Sequence, residues 1–157
     1  MNKPYIINAM IAASYVALVY AFSFLSFEAI QFRVAEVMLI IYLFNSKTLP
    51  GLLTGTFIAN VLFSPLTYVD AVVGTFATLL ALTIISIAKK NIISAILAPA
   101  ITNGVIIGLM LYYLIDLPLL ETMFFVFLGE LAVMTLLGLP VYFTLKRQTI
   151  LQEYLQF

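Results

Sequence analysis

The sequence predicts an all-α membrane protein: one membrane domain over 1–157, built as a six-transmembrane-helix bundle with N-terminus and C-terminus inside. Three observations predict it. The chain is 64% hydrophobic and only 9% charged, with a mean hydropathy of +1.18, a composition that belongs to the bilayer rather than to a soluble domain. Six apolar segments can be drawn, at about 5–25, 32–45, 49–63, 70–88, 92–114 and 121–145. Lysine and arginine collect in alternate connections, which is the asymmetry that orients membrane helices.

The first segment follows Lys3 and runs from Tyr5 to Leu25. That is long for the core of a signal peptide, so it reads as a span. It carries Ala9, Ala13, Ala17 and Ala21 at every fourth position. The second and third segments are short for full spans. The second opens on Gln31-Phe32-Arg33-Val34-Ala35-Glu36, a dense polar cluster in so apolar a chain. On a helix Arg33 and Glu36, three apart, share a face. The third carries Gly51, Gly55 and Ala59, and Asn60 near its end. The fourth opens on Asp70, Thr75 and Thr78. The fifth holds Pro99, Asn103, Gly104 and Gly108. Small residues four apart let helices approach closely in lipid, and Pro99 can bend its helix one turn before Asn103. In the sixth, Glu130 lies roughly nine residues in, ~14 Å along a helix, with Pro140 beyond it. Connections are brief: Asn45 to Thr48, Lys89 to Asn91, Asp116 to Pro118.

With the N-terminus inside, Lys3, Lys47, Lys89, Lys90, Lys146 and Arg147 all fall inside, six of the seven basic residues. Glu28, Asp116 and Glu121 fall outside. Arg33 breaks the bias, which gives it a local role. The polar residues Gln31, Arg33, Glu36, Asn60, Asp70, Thr75, Asn103 and Glu130 then all lie in the outer half or at the midplane. This describes a pocket opening outward, whereas a channel carries polar lining through both halves.

Several functions are excluded. Without Cys or His there are no disulfides, thiolate chemistry, usual zinc sites or His-based catalysis. Net charge is zero, so no basic face awaits nucleic acid. No phosphate-binding loop, nucleophile elbow or metal motif appears. The chain reads as holding a pocket but no motor.

The residues leave alternatives open. Arg33 and Glu36 form either a structural ion pair or part of the pocket. Asp70 either caps its helix or faces the pocket. Asn60 and Asn103 either tie helices together or meet a ligand. Glu130 has no basic neighbour in sequence and needs a partner, a proton or a ligand. The alanines of the first span pack either within the bundle or against another subunit.

The motifs Ile30-Gln31-Phe32-Arg33-Val34-Ala35-Glu36, Ala59-Asn60 with Ser64-Pro65 and Asp70, Gly74-Thr75 with Ala77-Thr78-Leu79, Asn103-Gly104 with Gly108, and Gly129-Glu130 occur in this order. With them the sequence resembles the QueT family of queuosine-precursor transporters, substrate-binding S components of energy-coupling factor transporters. Ala35 departs from that pattern, where Ser is usual; the pocket keeps its charge and lacks a hydroxyl. The resemblance implies a multi-pass protein of a bacterial plasma membrane that captures a 7-deazaguanine base outside. It also implies docking, through Ala9, Ala13 and Ala17, on a transmembrane coupling subunit with two ATPases. ATP and Mg are then used by those partners, and this chain carries no cofactor or metal. On that reading Glu130, Asn103 and Asn60 face the hydrogen-bonding edge of the base, with Phe32 or Tyr68 stacking on it, and Glu36 or Asp70 balances an aminomethyl charge. Three rivals stand beside it: the same architecture with a vitamin or another small metabolite, a structural subunit without ligand, and a stand-alone ion-coupled secondary transporter.

Overall fold

Inside a bilayer no water reaches the backbone, so a spanning chain closes its own hydrogen bonds by coiling into helices. The computed structural model describes residues 3–26, 31–148 and 153, and the regular structure in them is helical throughout. Helix α1 is Lys3–Ala21, and the short α2, Ser23–Ser26, follows it. A 3-10 segment, Val34–Ile40, runs directly into α3, Ile41–Phe44. After a 3-10 turn at Ser46–Thr48 come α4 (Leu49–Phe63), α5 (Thr67–Ile87) and α6 (Ile92–Ile115). The last rod is α7 (Leu119–Val133), a π segment (Met134–Gly138) and α8 (Leu139–Arg147). Glu28 and Ile30 lie outside the described residues.

Four rods are long and apolar enough to cross a membrane: Lys3–Ala21, Thr67–Ile87, Ile92–Ile115 and Leu119–Arg147. The other two apolar segments are shorter. Helix α4 has 15 residues, and at 1.5 Å per residue it spans about 22 Å of a ~30 Å hydrocarbon core. Val34–Phe44 is a shorter apolar helix still, and its 3-10 winding is the tighter i→i+3 form, rarely sustained beyond three or four residues.

The ends follow from local chemistry. Pro50 sits in the first turn of α4, where its missing N–H costs nothing. The Asn91 side chain caps α6 by accepting from the Ser94 N–H at 2.8 Å. Asp116 ends that helix in the left-handed region, φ 55°, which Asp tolerates better than most residues. Pro140 falls in the first turn of α8, and the wide π turn before it lets the rod continue past a residue that cannot donate.

Small residues set the helix spacing. A Cβ on Gly51 would stand 2.7 Å from the Asn8 carbonyl oxygen, and one on Gly55 2.8 Å from Tyr15 Cβ, so both are needed where α4 crosses α1. Gly108 and Gly104 do the same for α6 against Met123 and Phe127 of α7. The alanines of α1 behave differently. Ala12 and Tyr15 are buried, while Ala9, Ala13, Ala17 and Ala21 are exposed, so packing within the bundle does not account for that stripe. Ala9, Ala13 and Ala17 line an apolar groove of about 600 Å³ with Thr54 and Ile58 of α4.

The basic connections meet at one end. Asn8 Nδ2 donates to the Lys47 carbonyl at 3.0 Å, Lys90 Nζ donates to Ser46 Oγ at 2.8 Å, and Lys146 lies over the Tyr142 ring, itself 5.8 Å from Phe44. Next to this end sits the apolar core, centred on Leu39, Ile40, Leu52, Leu82, Ile85 and Met134. The polar cluster occupies the opposite end of α4.

Candidate functional site

The polar residues sort into two layers. The outer layer joins the end of α4 to the start of α5. Arg33 precedes the 3-10 segment with φ −78° and ψ 74°, outside helical geometry. Its Nη2 lies 3.4 Å from Asp70 Oδ1, and its Nε donates to Gln31 Oε1 at 3.2 Å. The second Asp70 oxygen accepts from Ser64 Oγ at 2.6 Å. Asn60 Nδ2 donates to the Asp70 backbone carbonyl at 3.1 Å. All five residues are buried. One cation meets one anion here, and the hydrogen bonds close around the pair.

This corrects two readings of the sequence. The ion pair among the described residues joins Arg33 to Asp70, 37 positions away, and not to Glu36. The reason is that Arg33 stands before the helix, so the two side chains do not share a face. Nor does Asp70 cap α5: no side chain caps that helix start, and the carboxylate is committed to Arg33 and Ser64. Asn60, in turn, ties α4 to α5.

The inner layer is different. Glu36 Oε1 accepts from Tyr15 OH at 2.9 Å and from Thr78 Oγ1 at 3.3 Å. Glu36 Oε2, both Glu130 oxygens, both polar atoms of the Asn103 side chain and Thr75 Oγ1 are buried with no hydrogen-bond partner. Glu36, Asn103 and Glu130 are each 0% exposed. The 3-10 segment that carries Glu36 packs against α6 and α7, which carry Asn103 and Glu130. The 3-10 segment, α5, α6 and α7 thus each carry a buried polar side-chain atom with no partner. Each buried polar group left unpaired costs about 1–3 kcal/mol, more when charged, so such a concentration calls for a functional reason.

Gly74 joins the two layers. Asp70, Gly74 and Thr78 stand four apart on one face of α5. A Cβ on Gly74 would lie 2.6 Å from Asn60 Nδ2, and 3.5 Å from both Arg33 Nη1 and Asp70 Oδ1. Gly74→Ala is expected to push Asn60 off the Asp70 carbonyl and destabilise the protein by about 1–3 kcal/mol, as overpacking does. Thermal unfolding in detergent measures this; an unchanged midpoint would show that Asn60 has room to yield.

The structure therefore joins Gln31, Arg33, Asn60 and Asp70 in one layer, and buries Glu36, Asn103 and Glu130 on the packed helices of the other with unpaired polar atoms. Thr75 is half-buried one residue from Gly74, with its hydroxyl turned inward. Tyr68 is 71% exposed and joins neither layer, so it offers no stacking face here. Phe32 is half-buried. Sequence reasoning passed over Tyr15 and underused Ser64, Gly74 and Thr78. For Tyr15 a signal existed: Ala9, Ala13 and Ala17 mark one side of α1, and Tyr15 stands about 200° from Ala13, on the other. A cavity of about 10 Å³, water-sized, lies between Tyr15, Arg33 and Asn60.

A sequence profile described as QueT transporter matches residues 5–147. No curated protein and no solved structure matches the chain. The apolar rods make this a membrane-embedded protein, and the profile covers all of them except the first two residues of α1: the chain belongs to the QueT transporter family.

Proposed function

We propose that the chain is the substrate-binding membrane subunit of an energy-coupling factor transporter that imports a queuosine precursor, a 7-deazaguanine base. The observation that carries this reading is the inner layer: a carboxylate and an amide, Glu130 and Asn103, fully buried with every side-chain polar atom unpaired. A guanine-like edge presents adjacent N–H donors beside a carbonyl. A carboxylate accepts two such donors side by side, and an amide NH2 serves the carbonyl. Because Glu36, Asn103 and Glu130 have no exposure, the helices around them part to admit the base, with the closed Arg33–Asp70 layer towards the mouth. The whole candidate set, Gln31, Arg33, Glu36, Asn60, Asp70, Thr75, Asn103 and Glu130, lines this route on our reading.

In this proposal the chain crosses a bacterial plasma membrane six times, N-in and C-in, with Val34–Phe44 and α4 as the short crossings. It performs no catalysis. A transmembrane coupling subunit docks in the groove at Ala9, Ala13 and Ala17, and two partner ATPases use ATP and Mg. The buried carboxylates Glu36 and Glu130, neither in a salt bridge among the described residues, also suit a stand-alone ion-coupled transporter. One uptake experiment separates the two. Cells making this chain should accumulate a labelled 7-deazaguanine base only when the coupling subunit and ATPases are made too. In the same cells a cysteine at Leu117 should react with an impermeant outside reagent, and one at Ser46 should not. Uptake by the chain alone would favour ion coupling, and reversed labelling would overturn the orientation.

A further inference from the structure

We propose that Tyr15, on α1, is a positioning residue for the ligand site: with Thr78 it clamps one oxygen of Glu36 so that the other faces the ligand. This rests on the reading of the inner layer as the ligand site. The two donors arrive from different helices and converge on the same atom, Glu36 Oε1, at 2.9 Å from Tyr15 OH and 3.3 Å from Thr78 Oγ1. Oε2 is left buried and unpaired. A glutamate side chain has three rotatable bonds, and one donor alone leaves the carboxylate free to turn. Two donors on one oxygen fix its plane and aim the second oxygen.

Tyr15 is itself held. It is 3% exposed, and its Cβ would sit 2.8 Å from a Cβ on Gly55, so the α4 backbone presses directly against it. The ring also borders the small cavity shared with Arg33 and Asn60. Its hydroxyl therefore reaches Glu36 from a fixed base on the first helix, which supplies no other polar group to either layer among the described residues.

The test is a double-mutant cycle on the purified full chain, with 7-aminomethyl-7-deazaguanine as the probe. Tyr15→Phe keeps the ring and removes the hydroxyl. It is expected to weaken binding about 10- to 100-fold, the range for one hydrogen bond to a charged group. In a Glu36→Gln background the same change is expected to cost no more than about twofold, because its effect runs through the carboxylate. Gly55→Ala, which displaces the ring without deleting it, should show the same dependence on Glu36. Equal losses in both backgrounds, or no loss from Tyr15→Phe, would overturn the proposal, since a merely structural role does not depend on Glu36. An infrared arm needs no ligand. The Tyr15→Phe difference spectrum should contain a shifted carboxyl band that vanishes in the Glu36→Gln background, and its absence would refute the clamp. If wild type fails to bind the probe, the 7-deazaguanine reading falls, and the infrared result alone decides the role of Tyr15.

Discussion

Glu130→Gln is expected to weaken binding of a 7-deazaguanine base by about a hundredfold to a thousandfold, while Asp70→Asn acts mainly on stability. The difference follows from the two layers. Both Glu130 oxygens are buried and unpaired, so both are available to adjacent N–H donors. Replacing one by an NH2 group removes an acceptor and points a donor at a donor, losing charge-assisted hydrogen bonds worth about 1.5–3 kcal/mol each. Asp70 is already committed to Arg33 and Ser64. Its neutralisation leaves the Arg33 charge buried without an anion at 3.4 Å, and breaking a buried pair costs about 3–5 kcal/mol. Titration of both variants, beside their thermal midpoints, checks the split. A base lacking the exocyclic amine should bind wild type poorly and lose little more on Glu130→Gln. Equal losses in both proteins would show that Glu130 does not read that edge.

Ala13→Leu is expected to abolish ATP-driven uptake and co-purification with the coupling subunit, with ligand binding by the isolated chain within about twofold of wild type. Ala13 is exposed on the groove shared with Thr54 and Ile58. A leucine there fills the space that close helix approach requires. It stands about 200° around α1 from Tyr15, so the inner layer is not disturbed. Loss of binding together with assembly would mean that the substitution reaches the ligand site. Retention of both would remove the groove from the docking surface.

The sequence revealed the helices where one rule governed each residue. Segment 49–63 coincides with α4, and 92–114 ends one residue short of α6, because Pro50, Asn91 and Asp116 punctuate them. It did not reveal the winding of Val34–Ile40. Choosing i→i+3 over i→i+4 bonds depends on how the segment packs, not on its residue types, and apolar patterning looks alike in both. Nor did the sequence reveal that Arg33 stands before that segment, at φ −78° and ψ 74°, which removes the expected shared face with Glu36 and leaves Arg33 to pair with Asp70. The polar residues of the candidate site were legible as an excess of polarity in lipid, which is costly and so informative. Their division into a satisfied and an unsatisfied layer was not, because it turns on contacts such as Ser64 with Asp70 and Tyr15 with Glu36. Glycines gave a mixed return. Gly51, Gly55, Gly104 and Gly108 announce close packing by their spacing of four, whereas Gly74 stands alone and only its contact with Asn60 explains it.

The central claim is that the unpaired groups of the inner layer bind a 7-deazaguanine base. Native mass spectrometry of the chain, purified from cells supplied with that base, tests it most directly. The account predicts a one-to-one adduct with the mass of the base on wild type, absent from Glu130→Gln. A wild-type chain free of any such adduct, or one carrying a vitamin or another metabolite in its place, would contradict it.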